Sequence, residues 1–238
     1  MNTIHRGDRN TTFLAHPQRW QAASWDDYLA LRDGDAADRL RLFFQAGWLW
    51  IEMGSEGIRH ASFSDLFTML AFIWKQRHPD QNLTSLGRCQ LEKTGKQACA
   101  PDLVIYIGDN APAWEAGQRR FINLDRDRCP DLVGEISDTT LVTDLDEKKR
   151  LYADLGIPEY WVIDIQGGRV FAFGLTESGV YQTTEVSIAW PGLSVTLLEQ
   201  AIARLATESN TAVALWSAQQ RTAQKQAARG KASQIYWS

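Results

Sequence analysis

The sequence predicts a single α/β domain, a mixed central sheet with helices on both faces, and three observations carry that prediction. Three segments repeat apolar residues at helical spacing, several short apolar runs are bounded by turn residues, and the two kinds interleave along the chain. With 238 residues, 44% of them hydrophobic, the chain can close a full core. One domain is expected over residues 21–208, its core at about 62–165, with a flexible polar arm at 1–20 and a basic helical tail at 209–238.

The elements follow in order. LRLFF (40–44) and WLWIEMG (48–54), separated by Gln-Ala-Gly, predict a β-hairpin with Trp48, Trp50 and Glu52 on one face. From Ser62 to about Gln76, Phe63, Leu66, Phe67, Leu70, Ile73 and Trp74 recur at i, i+3 and i+4, which marks an amphipathic helix. GRCQLE (87–92), a Lys-Thr-Gly-Lys turn, DLVIYIG (102–108) and LVGEIS (132–137) read as strands. The last is apolar enough to be covered on both sides. Asp144 to Leu155 read as a short helix with Thr143 as N-cap, Asp146 at the third position and Gly156 as the stop. EYWVIDI (159–165), RVFAFGL (169–175) and GVYQTTEV (179–186) form a meander. Leu197, Leu198, Ala201, Ile202 and Leu205 mark a closing helix from about Ser194 to Glu208. Beyond it the tail carries Arg221, Lys225, Arg229 and Lys231 and no acid, as expected of a mobile basic helix.

Composition and motifs exclude several classes. No apolar run is long enough to span a bilayer and the first residues lack a signal-peptide core, so a cytoplasmic protein without membrane contact is expected. Cys89, Cys99 and Cys129 fit neither a disulfide frame nor a zinc spacing. There is no Walker A or GxGxxG sequence, so no nucleotide cofactor is expected, and no GxSxG or HExxH. A net charge of -4 argues against a general nucleic-acid sponge but leaves room for a local basic patch.

Three residues break the apolar rule. Glu135 shares a strand face with Val133 and Ser137, where an unpaired carboxylate is costly. Lys148 falls near the middle of the stripe made by Leu145, Leu151, Tyr152 and Leu155, where a lysine must snorkel out or meet an acid or an anion. Lys149 lies at the edge of that stripe. Asp102 opens an apolar strand, a place as natural for a loop edge as for a site. A metal-dependent phosphodiesterase site accounts for all three together. Two carboxylates hold a hard cation such as Mg²⁺, with Mn²⁺ as a substitute, and the lysine orients a water or supports charge on the phosphate.

At APD (100–102), PDLVGEIS (130–137) and DLDEKKRLYADLGIPEYWVID (144–164) the sequence resembles the restriction endonuclease-like proteins abundant in cyanobacteria, within the PD-(D/E)xK nuclease superfamily. The resemblance runs from about Trp25 to Leu198. It implies a restriction endonuclease-like core and a Mg²⁺-dependent endonuclease acting on DNA, with Asp102 and Glu135 as the metal-binding acids and a homodimer as the working form. The superfamily's lysine normally lies two residues after the second acid, where this chain has Ser137; the resemblance implies a lysine moved to the following helix, at Lys148. A literal rival, Pro130-Asp131 with Asp146-Glu147-Lys148, fails because Asp146 lies about 160° around the expected helix from Lys148. Related sequences often carry an acid in the first hairpin strand, where this chain has Leu42-Phe43-Phe44; Glu52, Glu56 and His60 are the available substitutes.

Arg119, Arg120, Arg126 and Arg128 are candidates for phosphate contacts, though Asp125 and Asp127 interrupt the run. The alternative to a DNA-cleaving enzyme is a catalytically silent module of the same fold that binds nucleic acid or protein. Its features would be an exposed cluster with Trp48 and Trp50, from a chain rich in tryptophan, and a tail bearing Trp216 and Trp237. A hydrolase acting on another phosphoester is a third possibility, because metal and lysine alone do not name a substrate.

Overall fold

The computed structural model describes residues 13–54, 57–118 and 121–220. Its elements are β1 (Gln21–Ala22), α1 (Trp25–Arg32), β2 (Leu40–Gln45), β3 (Trp48–Met53), α2 (Ile58–Arg77), β4 (Leu83–Ser85), β5 (Leu91–Lys93), β6 (Gln97–Cys99), β7 (Leu103–Ile107), β8 (Ile122–Asn123), β9 (Leu132–Ser137), α3 (Leu141–Leu145), α4 (Glu147–Asp154), β10 (Glu159–Asp164), β11 (Arg169–Leu175), β12 (Tyr181–Thr183) and α5 (Val195–Arg204).

The mixed sheet with helices on both faces is present, in the order β12-β11-β10-β9-β7-β4. Only β9 and β10 in it run parallel, joined by α3 and α4 as a βαβ crossover. On one face α2 and α5 lay Phe67, Trp74, Leu198 and Ile202 against Leu103, Ile105, Trp161 and Ile163. On the other, Leu151, Tyr152 and Leu155 of α4 meet Val104, Val133, Tyr160 and Val162. This double cover is why β9 reads as a continuous apolar run, and all six of its residues are buried.

A second six-stranded sheet, β1-β3-β2-β6-β5-β8, was not evident in the sequence. The expected hairpin forms its middle, closed by Ala46 (φ 48) and Gly47 (φ 80), the two positive φ values a two-residue hairpin turn requires. Phe43 and Trp50 face the central sheet's core, while Leu42, Phe44, Leu49 and Ile51 face Tyr28 and Leu31 of α1. Trp50 is therefore buried and only Trp48 is exposed, so the expected exposed pair does not form.

Several boundaries move. α2 begins at Ile58 behind an extended Gly57, which takes His60 into its first turn. Of GRCQLE only the last two residues join a strand, since Arg88 turns at φ 65. The helix expected from Asp144 is broken at Asp146 (φ -120, ψ -82), so Thr143 lies inside α3 and caps nothing; its hydroxyl accepts from Trp20 Nε1 and donates to Glu147 Oε2, both at 2.8 Å. Gly156 does end the following turn, at φ 74. The described part of the arm is docked: Phe13 is buried, and Gln18 N donates to Ile51 O at 2.9 Å. Residues 210–220 are helical and bury Val213 and Ala214 in the core, so this first part of the tail is docked as well. Arg221, Lys225, Arg229, Lys231 and Trp237 lie outside the described residues. Among the described residues no helix is long and apolar enough to cross a membrane.

Candidate active site

Strand pleat and register bring the candidate acids together. Glu135 and Val133 share the β9 face that looks toward the second sheet. β7 and β9 pair Leu103 with Gly134 and Val104 with Val133, and one further step of that register sets Asp102 opposite Glu135. Gly134 allows this close pairing, because a Cβ there would stand 3.0 Å from Leu103 Cδ1. From the other sheet the cross-strand pair Arg41 and Glu52 lies on the same face as Phe43 and Trp50 and closes over the acids. Lys148 comes from α4, on the face that carries Leu151 and Tyr152. The site is thus walled by both sheets and one helix.

Asp102, Glu135, Asp144 and Lys148 are each at most 2% exposed. Lys148 Nζ lies 2.7 Å from Glu52 Oε1, 2.9 Å from Asp144 Oδ1 and 3.3 Å from Glu135 Oε2. The Arg41 guanidinium lies 2.8 Å from Asp102 Oδ1, 3.2 Å from Glu52 Oε2 and 3.4 Å from Glu135 Oε2. His60 Nε2 is 3.3 Å from Asp102 Oδ2, which also accepts from Ile136 N at 2.8 Å. Tyr152 OH donates to Glu135 Oε1, Trp50 Nε1 to Glu52 Oε1, and Thr140 Oγ1 to Asp144 Oδ2.

These neighbours split the two central acids. Burial pushes the Glu135 carboxyl up to about 8; Lys148 opposes it and the charge of Asp102 adds to it. Burial works the same way on Asp102, yet Arg41, His60 and the Ile136 amide outweigh it and hold Asp102 well below the usual carboxylate range. Burial alone would lower Lys148, but Asp144, Glu135 and Glu52 raise it, so it stays an ammonium at neutral pH.

The donor set suits a hard divalent ion, since Glu52, Asp102 and Glu135 offer carboxylate oxygens around a cavity of about 160 Å³ open to solvent. Asp102 Oδ1 is buried and, although close to Arg41, receives no aligned hydrogen bond, which leaves a lone pair for a ligand. The residues therefore fit an ion chemically. In the arrangement seen, however, Arg41 and Lys148 stand between the carboxylates, and among the described residues no three acidic, histidine or cysteine groups close on one point.

Of the sequence candidates, Asp102, Glu135, Lys148, Glu52 and His60 are brought together. Lys149 is not; its ammonium sits 3.7 Å above the Phe173 ring. Arg126 pairs with Asp127 at 3.1 Å, and Arg128 with Asp131 at 2.9 Å, and neither arginine lines the acid cavity. Asp131 also accepts from Ile107 N at 2.6 Å, so the second Pro-Asp fastens β7 to the approach of β9 and is no ligand here. Glu56, Arg119 and Arg120 lie outside the described residues. Trp216 packs against the core beneath Arg204 rather than offering a free face.

Three members of the network were missed. Arg41 carries the same signal as Glu135, a charge alternating with apolar residues in LRLFF. Asp144 and Tyr152 stand four residues either side of Lys148, the spacing at which helical side chains meet.

The sequence profile of the Uma2 family, described as putative restriction endonuclease, matches residues 25–208. Among solved structures, a putative nuclease belonging to DUF820 from Anabaena variabilis is similar, with 16% identity and a TM-score of 0.49 over 82% of this chain and 98% of that one. No curated protein matches the chain.

Proposed function

This chain belongs to the Uma2 family of putative restriction endonucleases, and we propose that it is a divalent-metal-dependent nuclease that hydrolyses DNA phosphodiester bonds at the Asp102, Glu135 and Lys148 cluster. The observation that carries this reading is the convergence of two strand-borne carboxylates and one buried ammonium on a single cavity open to solvent. Such a buried charge cluster is a weak stabilising device, since apolar replacements are often neutral or stabilising.

Asp102 and Glu135 would hold the ion, with Mg²⁺ as the expected species and Mn²⁺ as a substitute, and Glu52 is the third available oxygen donor. When bound, such an ion lowers the pKa of water and offsets negative charge on the phosphate. Tyr152 fixes one oxygen of Glu135 and leaves the other directed at Lys148 and the cavity. Asp144 and Glu52 hold the Lys148 ammonium in place and charged, so that it can bind a phosphate oxygen or orient an attacking water without losing its proton. Thr140 in turn positions Asp144 from the cavity rim.

The test is conversion of supercoiled plasmid to nicked circles with Mg²⁺ or Mn²⁺. Wild type should nick only with metal, and Asp102→Asn and Glu135→Gln should each lose about 10²-fold or more in rate. Nicking that survives both substitutions would sink the assigned site. The silent-module reading is favoured by one observation, the Arg41 guanidinium among the acids. It predicts DNA binding without nicking at any metal concentration.

A further inference from the structure

We infer that Arg41 is a built-in counter-cation standing where a divalent ion would bind, so that the ion enters only when this guanidinium withdraws. The inference rests on the metal-dependent reading of the site. One planar cation touches Asp102, Glu52 and Glu135 at 2.8, 3.2 and 3.4 Å, the same three carboxylates that face the cavity. A guanidinium and a divalent ion cannot share oxygens at that spacing, because like charges repel most strongly where water is excluded. Withdrawal without replacement is unfavourable too, since it leaves Glu52 and Glu135 with Lys148, and Asp102 with His60, as the remaining cationic partners. The exchange of one cation for another is the route that avoids both costs.

The fold provides a place to go. Arg41 lies on the wall between the acid cavity and a second one of about 660 Å³, which is also lined by Asp33, Asp38, Gly87 and Ala100. The guanidinium already reaches toward that side, where its Nε donates to Ala100 O at 3.1 Å. A swing about the arginine's own stem, with the backbone of β2 fixed, would carry the charge from Glu135 toward the Asp38 side of that cavity, where Asp33 is already paired with Arg32 at 2.8 Å. The Arg41 anchor thus makes the apparent ion affinity equal to the intrinsic one reduced by the fraction of molecules with the guanidinium withdrawn.

Titration calorimetry with Mn²⁺ alone, on the full chain without DNA, tests this. Arg41→Met keeps most of the stem and removes the charge; it should bind Mn²⁺ about tenfold or more tightly than wild type. Arg41→Lys, with a compact ammonium in place of the fork, should fall between. Adding Glu135→Gln to Arg41→Met should abolish the gain. If Arg41→Met is unstable without metal, Mn²⁺ should raise its melting temperature more than that of wild type, by linkage. Equal Mn²⁺ affinity in wild type and Arg41→Met would overturn the role of Arg41 and leave the metal site standing. Absence of binding to both, or an Arg41→Met protein that Mn²⁺ fails to stabilise, would end the inference and the metal site together.

Discussion

Glu135 stays buried because Tyr152, Lys148 and Arg41 surround it, yet burial still holds its carboxyl up to about 8. The sign of the resulting pH dependence is fixed. Between the ordinary glutamate value of about 4.3 and the raised one, the folded protein keeps a proton that the unfolded chain has released. The stability from this group is therefore complete below the ordinary value and lost as pH rises through 8. Asp102, held below the usual range, loses its contribution only in stronger acid and does not mask the effect. Urea unfolding of wild type should weaken from pH 5 toward 8, and Glu135→Gln should flatten that slope. Parallel slopes would contradict the burial assigned to this carboxyl. Tyr152→Phe, which takes the phenolic donor from Glu135, should cost about 1–3 kcal/mol and lower the nicking rate.

At the scale of elements, the site depends on α4 and the β2–β3 hairpin. α4 is held by Leu151, Tyr152 and Leu155 in the core between the sheets, and its start is set by the break at Asp146 rather than by a side-chain cap. That break is what sequence pattern could not show. The capping pattern of Thr143-Asp144-Leu145-Asp146 does not form, because the Thr143 hydroxyl is taken by Glu147 and by Trp20, the latter a contact across 123 residues. The lysine was legible regardless, since its place in the apolar stripe depends on the periodicity of 148–155 and not on where the helix begins. In the hairpin, Ala46 adopts φ 48 without the local hydrogen bonding that lets asparagine do so. Ala46→Asn should raise stability by roughly 0.5–1 kcal/mol with activity unchanged, as read by thermal melting; a loss would contradict the turn geometry.

At the scale of the whole molecule, the site exists because two sheets face each other. Apart from the three-residue β4, the central sheet was legible between 62 and 165, since β7, β9 and β10 are apolar runs and α2 carries a 3.6-residue pattern. The second sheet was not. Its added strands β1, β5, β6 and β8 are two or three residues long, too short for alternation to declare itself, and their pairing is fixed by contacts distant in sequence. That is why Asp102, just before β7, and Glu135, on β9, were found and Arg41, delivered across the gap from β2, was not. The most direct test of the account is the anomalous signal of crystals equilibrated with Mn²⁺. The expected result is one peak between the Asp102 and Glu135 carboxylates, with the Lys148 ammonium beside it and the Arg41 guanidinium withdrawn from Asp102, Glu52 and Glu135. A peak elsewhere, or none with Arg41 still bridging the three acids, would contradict it.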